Sequence, residues 1–282
     1  MGSSTFPPGY VELKDGDSNI LVLEECRERL EGIEIGDIVA LRRRASGAPL
    51  RGRSSHFAIE LGGGGRAVVK ESRHGGMRAW ILPDVYFGAG RFHREIQVTR
   101  EAERRGIWVA PIIASVTRSA GMGFCRHHFL VSQQEGAKDL RQALPSLSGM
   151  PAHRRRELVR AVAVGIRSLH DAGICHADLN LGNILIRGAE SSSIEIGFID
   201  LDTSRLAGEP SFAKRIRNLL RLYRSLVKSR SLDGVVSRTD LYRFTAAYTQ
   251  GDRGGARLAW RAFRRRLPVL LLHKLLWGLG IR

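Results

Sequence analysis

Two short stretches constrain this chain more than any other. The first is His176-Ala177-Asp178-Leu179-Asn180-Leu181-Gly182-Asn183 running into the apolar Ile184-Leu185-Ile186; the second, after a short polar hairpin, is Gly197-Phe198-Ile199-Asp200-Leu201-Asp202. Asp178 lies in a polar loop, Asn183 follows five residues on, and Asp200 ends another apolar run. Phosphoryl transfer needs this set: a carboxylate to accept or orient the proton of the attacking hydroxyl, and an amide with a second carboxylate to hold Mg²⁺ on the phosphates of ATP. Hard cations take oxygen ligands, so Asn183 and Asp200 suffice when phosphates and water complete the shell. A turn carboxylate capping local amides accounts for Asp178 alone. It does not account for three such residues in register with two apolar strands.

Upstream, Val68-Val69-Lys70 places a lysine at the end of an apolar strand, where its ammonium can reach the α- and β-phosphates of a nucleotide. Its expected partner is Glu95 in Phe92-His93-Arg94-Glu95-Ile96, one turn into the next helix; Glu101 and Glu103 are rivals on a charge-rich face. Around these residues the pattern predicts strands over 37–41, 55–61 and 66–71, a helix over 91–105, and strands over 109–116 and 124–133. Helices follow over 154–172, 212–228, 238–249 and 256–282. This order predicts an α+β, bilobal protein-kinase-like fold. It comprises an amino-terminal arm (1–35), a small β-rich lobe with one helix (36–136), and a mainly helical lobe with the catalytic loop and a basic amphipathic tail (137–282). The arm reads as loose, with one amphipathic patch over Ile20–Leu30. Gly62-Gly63-Gly64-Gly65 directly precedes the Lys70 strand and reads as a hairpin turn, whereas Ala45–Arg53 has the position of a nucleotide loop without a G-x-G-x-x-G pattern. His176 is expected to brace the loop. Asn180 is a turn former or a substrate contact, and Asp202 a second metal-proximal acid or a cap for Thr203-Ser204.

Charge narrows the surroundings. Lys and Arg (45) exceed Asp and Glu (28) by 17, more than ATP alone requires, so an anionic partner is expected. Aromatic residues make up only 7% of the chain and do not interleave with the arginine-rich patches, which argues against nucleic acid. Cys26, Cys125 and Cys175 are far apart and lack metal-like spacing, as expected of reduced thiols in a cytoplasmic protein. No signal-like amino-terminal run and no bilayer-spanning apolar stretch is apparent.

Several motifs together resemble the lipopolysaccharide core kinases, the Kdo kinase and heptose kinase family. They are Lys70 with Arg73-His74-Gly75-Gly76, Phe87–Glu95, Arg105–Pro111, His176–Ile186, Ile199–Asp202 and Asn218–Leu226. The resemblance implies ATP- and Mg²⁺-dependent phosphorylation of a Kdo or heptose hydroxyl in the lipid A-linked core saccharide, by an enzyme peripheral on the cytoplasmic side of the inner membrane. Ala177 stands where loop-phosphorylated protein kinases carry Arg, and no Ala-Pro-Glu follows, so a phosphorylation-switched peptide kinase is disfavoured. A kinase of another small molecule and a catalytically silent binding module are the competing readings. The tail, Arg257–Arg266 followed by Leu267–Ile281 with Trp277, reads either as an interfacial anchor on an anionic membrane surface or as a core helix with a solvated basic face.

Overall fold

A computed structural model describes residues 7–50, 56–74, 84–189, 191, 193–202, 204–206, 208–229 and 232–278, the side chains of 47–50, 205, 206 and 266–278 excepted. The chain divides into two compact units, Met1–Glu101 with Ala110–Glu135, and Ala102–Val109 with Gly136–Arg282.

The first unit is an antiparallel sheet with a helix on it. Its elements are β1 (Tyr10–Asp15), β2 (Ser18–Leu23), α1 (Ile38–Arg43), β3 (Ser46–Leu50), β4 (His56–Glu60), β5 (Arg66–Glu71), β6 (Tyr86–Phe87), α2 (Gly90–Arg104), β7 (Ile112–Ser119) and β8 (Phe124–Ser132). The strands run β1-β2-β7-β8-β5-β4-β3, with β6 pairing β8. Side chains alternate between two apolar clusters, as a pleated strand requires. Ile20, Val22, Ile59, Val69, Ile113 and Leu130 fill one. Leu21, Tyr86, Phe92, Ile96, Ile112 and Phe129 fill the other.

Two sequence expectations change here. The segment expected as a loose arm carries the β1–β2 hairpin, and β2 pairs with β7 inside the sheet. Ile20–Leu23 are a buried strand because both sheet faces are covered, which gives a continuous apolar run and not an alternating one. The strand expected at 37–41 is α1: Asp37 Oδ1 accepts a hydrogen bond from the Val39 amide at 2.8 Å, and this cap outweighs the β preference of Ile38 and Val39. The tetraglycine is the β4–β5 turn as expected, with Gly63, Gly64 and Gly65 at φ of +68°, +89° and +82°. Of the expected nucleotide loop, Ser46–Leu50 form the bulged edge strand β3, while Arg51–Arg53 lie outside the described residues. Gly75-Gly76 also lie outside them.

The second unit contains β9 (Lys138–Asp139), α3 (Leu140–Ala143), α4 (Ala152–Asp171), β10 (Ile174–Cys175), β11 (Ile184–Arg187), β12 (Glu195–Phe198), β13 (Arg205–Leu206), α5 (Phe212–Lys228), α6 (Arg238–Tyr248) and α7 (Arg253–Gly278). One small sheet runs β12-β11-β9, and β10 pairs β13. Helix α4 buries Leu158, Val162, Ala163, Ile166 and Leu169 at helical spacing. Gly165 lets it approach β12: a Cβ there would meet Ile196 at 2.7 Å. Arg155 of α4 clamps Asp240, which is 1% exposed and also closes a reciprocal cap with Ser237 at the start of α6. Burial would raise the Asp240 carboxyl, but its bonds to Arg155 and Ser237 prevail and hold it at about 2. The described part of the basic tail packs on its neighbours: Ala259 and Phe263 are buried, and Phe263 meets Tyr223 of α5 edge-on at 5.4 Å. Residues 253–265 therefore follow the core-helix alternative, with Arg257, Arg261, Arg264 and Arg265 exposed. Pro268 and Trp277 lie in the stretch whose side chains are not described.

Candidate active site

In the first unit, Lys70 and Glu95 meet. Lys70, next to last in β5, lies opposite Phe129 of β8, and its Nζ donates to Glu95 Oε1 at 3.3 Å. Glu95 is buried at 5% exposure, and Lys70 is half-buried. Phe92 and Ile96, on either side of Glu95 along α2, pin the helix into the apolar cluster; burying each contributes roughly 1.5–3 kcal/mol. Thr99 Oγ1 donates to the Glu95 carbonyl at 2.8 Å. Beneath the helix lies a residue that sequence reasoning missed. His127 stacks on Phe92 with centroids 3.5 Å apart and its two ring nitrogens on Ser72 and Ser115 Oγ, both at 2.9 Å. Complete burial, aided by neighbouring positive charges, drives its pKa well below the ordinary imidazole range.

In the second unit, the expected loop folds around its own backbone. The Asp178 amide donates to His176 Nδ1 at 3.2 Å, so Nε2 carries the ring hydrogen and donates to the Ile199 carbonyl at 3.0 Å. His176, fully buried, thus staples the loop to the strand end carrying Asp200. Asn180 Nδ2 donates to the Asp178 carbonyl and to its Oδ2, both at 3.0 Å, and Asn180 Oδ1 accepts from the Gly182 amide at 2.8 Å. Asn180 is therefore the turn former, and it also fixes the Asp178 carboxylate. Asn183 Nδ2 donates to the Asp178 carbonyl at 2.9 Å, and its amide oxygen is of the type that hard cations accept as a ligand. The β11–β12 ladder continues past Ile184↔Phe198 with the Ile199 amide donating to the Asn183 carbonyl at 3.1 Å, which sets Asp200 one residue beyond. Asp200 has φ +62°, a left-handed conformation that costs a non-glycine residue on the order of 1–2 kcal/mol. The hydrogen bonds on both sides of Ile199 hold it there, and strain of this kind accumulates at functional sites. Asp178 is exposed. Ser204 Oγ takes the Ala177 amide at 3.1 Å.

A second layer, unassigned from sequence, supports this loop. Asn218 of α5 donates from Nδ2 to the His176 carbonyl at 2.6 Å and accepts at Oδ1 from His170 Nε2 at 2.9 Å; His170 Nδ1 accepts from the Tyr248 hydroxyl at 2.7 Å. Burial pushes His170 down to about 4, against the raising effect of the Asn218 bond, and pushes Tyr248 up to about 12. The chain Tyr248–His170–Asn218 is thus neutral and fully engaged. Only its motif, Asn218–Leu226, was visible in the sequence.

The donor set of the second unit suits Mg²⁺, being an amide oxygen and a carboxylate with no sulfur or imidazole among them. Among the described residues no helix is long and apolar enough to cross a membrane.

Residues 58–248 match the family described as the lipopolysaccharide kinase (Kdo/WaaP) family. A 3-deoxy-D-manno-octulosonic acid kinase of Xylella fastidiosa (strain M12) is 32% identical over 244 residues, covering 83% of this chain and 91% of that protein. One from Stenotrophomonas maltophilia (strain K279a) is 31% identical over 232 residues, covering 79% and 87%. Among solved structures, WaaP in complex with acyl carrier protein has the same fold, with TM-score 0.55 and 20% identity over 83% of this chain and 92% of that one.

Proposed function

The chain belongs to the lipopolysaccharide kinase (Kdo/WaaP) family, a phosphotransferase family acting on sugar hydroxyls, and we propose that its acceptor is a Kdo hydroxyl of the lipid A-linked inner core. The Xylella and Stenotrophomonas relatives, both 3-deoxy-D-manno-octulosonic acid kinases, support Kdo over heptose. The observation that carries the assignment of roles is the Asp178 loop, in which one exposed carboxylate is fixed by Asn180, Asn183 bonds the Asp178 carbonyl, and the Asn183 carbonyl pairs with the residue before Asp200.

Asp178 takes or orients the proton of the attacking sugar hydroxyl as the oxygen–phosphorus bond forms. Asn180 holds one carboxylate oxygen, so the other faces the acceptor without a rotameric search. Asn183 and Asp200 are the residues that would hold Mg²⁺, which, when bound, neutralises charge developing on the transferred phosphoryl group. Lys70, oriented by Glu95, is the cation for the α- and β-phosphates of ATP. The protein works at the cytoplasmic face of the inner membrane, where both ATP and a lipid-linked acceptor are in reach. Incubation of the purified protein with MgATP and a Kdo-bearing lipid A precursor, followed by mass spectrometry, is expected to show one phosphate on Kdo. A phosphate appearing only on heptose, or no transfer at all, overturns the assignment.

A further inference from the structure

Helix α5 has two faces with different work. One holds the catalytic loop: Asn218 bonds the His176 carbonyl, and Ser225 Oγ accepts from the Leu181 amide at 3.3 Å. The other carries Lys214, Arg217, Arg221, Arg224 and Lys228, all exposed. Their spacing of three and four residues confines them to an arc of about 80° at about 100° per residue, and Ser225 and Asn218 lie only about 20° and 40° beyond its edge. The helix contains no Asp or Glu. Among the described residues, Lys214, Arg217, Arg221 and Arg224 enter no ion pair, unlike Arg215, which is buried against Asp171 and Glu209. A row of like charges at i and i+4 repels itself, so folding alone gives no reason for it. The row also reaches the loop: burial raises the Cys175 thiol, one residue before His176, and the charges of Arg215, Lys214 and Arg217 pull against it. Helix α7, packed on α5 through Phe263 and Tyr223, likewise contains no acid and exposes Arg253, Arg257, Arg261, Arg264 and Arg265.

We propose that the exposed cationic face of α5 is a docking surface for an anionic lipid bilayer, which keeps the membrane bearing the acceptor beside the Asp178 loop. The inference rests on the reading that the acceptor is lipid-linked. It moves the membrane contact from the carboxy-terminal tail, where the sequence suggested it, to a helix that also holds the catalytic loop. A continuous, single-sign stripe fits a surface of many headgroups, whereas a discrete phosphate site needs convergent donors in a pocket.

The test is sedimentation of the full chain with vesicles of phosphatidylcholine alone or phosphatidylcholine containing phosphatidylglycerol, without nucleotide. The wild type is expected to bind only the anionic vesicles and to be released by salt. Arg217→Gln/Arg221→Gln/Arg224→Gln is expected to weaken binding by about a hundredfold. Removing the same charge elsewhere, with Arg43→Gln/Arg156→Gln/Arg160→Gln, is expected to weaken it far less, and replacing the three α5 arginines by Lys to preserve it. All the substituted residues are exposed, so thermal unfolding should report intact folds. Equal loss in both Gln variants, loss in the Lys variant, an unaffected α5 variant, or an α5 variant impaired only in binding duplex RNA would each overturn the proposal. Vesicle binding is read without catalysis. A chain that docks but leaves Kdo unmodified therefore defeats the proposed function, and one that phosphorylates Kdo but ignores anionic vesicles defeats the docking surface.

Discussion

Asn218→Ala offers a quantitative test of how the catalytic loop is held. The side chain makes two hydrogen bonds from a buried position, one to the His176 carbonyl at 2.6 Å and one from His170 Nε2 at 2.9 Å. Alanine leaves both partners in place with nothing to bond. Each unsatisfied buried group costs about 1–3 kcal/mol, so the loss is roughly 2–6 kcal/mol, offset by a few tenths from alanine's better helix propensity. Urea unfolding followed by far-UV circular dichroism should show a clearly lowered midpoint. Steady-state kinetics should show a reduced kcat with little change in KM for ATP, because Asn218 touches the loop backbone and none of the residues assigned to the phosphates. A variant with wild-type midpoint and wild-type kcat would refute the idea that this bridge positions Asp178.

Other consequences are as specific. Lys70→Met removes the ammonium from a partly buried pair; a fully buried pair would cost ~3–5 kcal/mol to break, and the 21% exposure of the lysine side chain brings this to about 2 kcal/mol. The variant should lose at least tenfold in kcat/KM for ATP, and a value within twofold of wild type would exclude Lys70 from phosphate binding. His170, held at about 4 against an ordinary 6.5, binds its proton more readily in the unfolded chain. Stability should therefore fall as pH drops from 6.5 towards 4, by roughly 3 kcal/mol from this residue. His127 titrates in the same direction, so the diagnostic is a flatter stability–pH slope in His170→Gln than in wild type. Gly165→Val drives a branched side chain into Ile196 and should destabilise by about 1–3 kcal/mol in thermal melts; an unchanged melt would show that α4 and β12 separate easily.

What the sequence displayed and what it concealed divide along physical lines. The Asp178, Asn183 and Asp200 loop was legible because chemistry fixes residue type and spacing together, and the strands flanking it are apolar on both faces. The long helices were legible through their 3.6-residue periodicity. Residues 37–41 were misread because Ile38-Val39-Ala40-Leu41 has strand-like composition, and a single Asp37 cap decides the matter. The β1–β2 hairpin was missed because β1 is largely exposed and polar while β2 is buried, so neither strand shows clean alternation. The Tyr248–His170–Asn218 chain could not have been found by spacing, since its members are separated by 78 and 48 positions and only tertiary packing joins them. The cationic face of α5 was present in the sequence as a three- and four-residue period of Lys and Arg, hidden within a uniformly basic chain.

The central claim is that Asp178 serves as the proton acceptor for attack by a Kdo hydroxyl on ATP. Single-turnover phosphate transfer from γ-labelled ATP to a Kdo-bearing lipid A precursor, comparing wild type with Asp178→Asn, addresses it most directly. The near-isosteric amide should leave ATP binding intact and reduce the rate of labelled product by a factor of 10² or more, in line with the roughly 10²–10⁴-fold contribution of general base catalysis. Transfer by Asp178→Asn at the wild-type rate, with label on the Kdo, would contradict it.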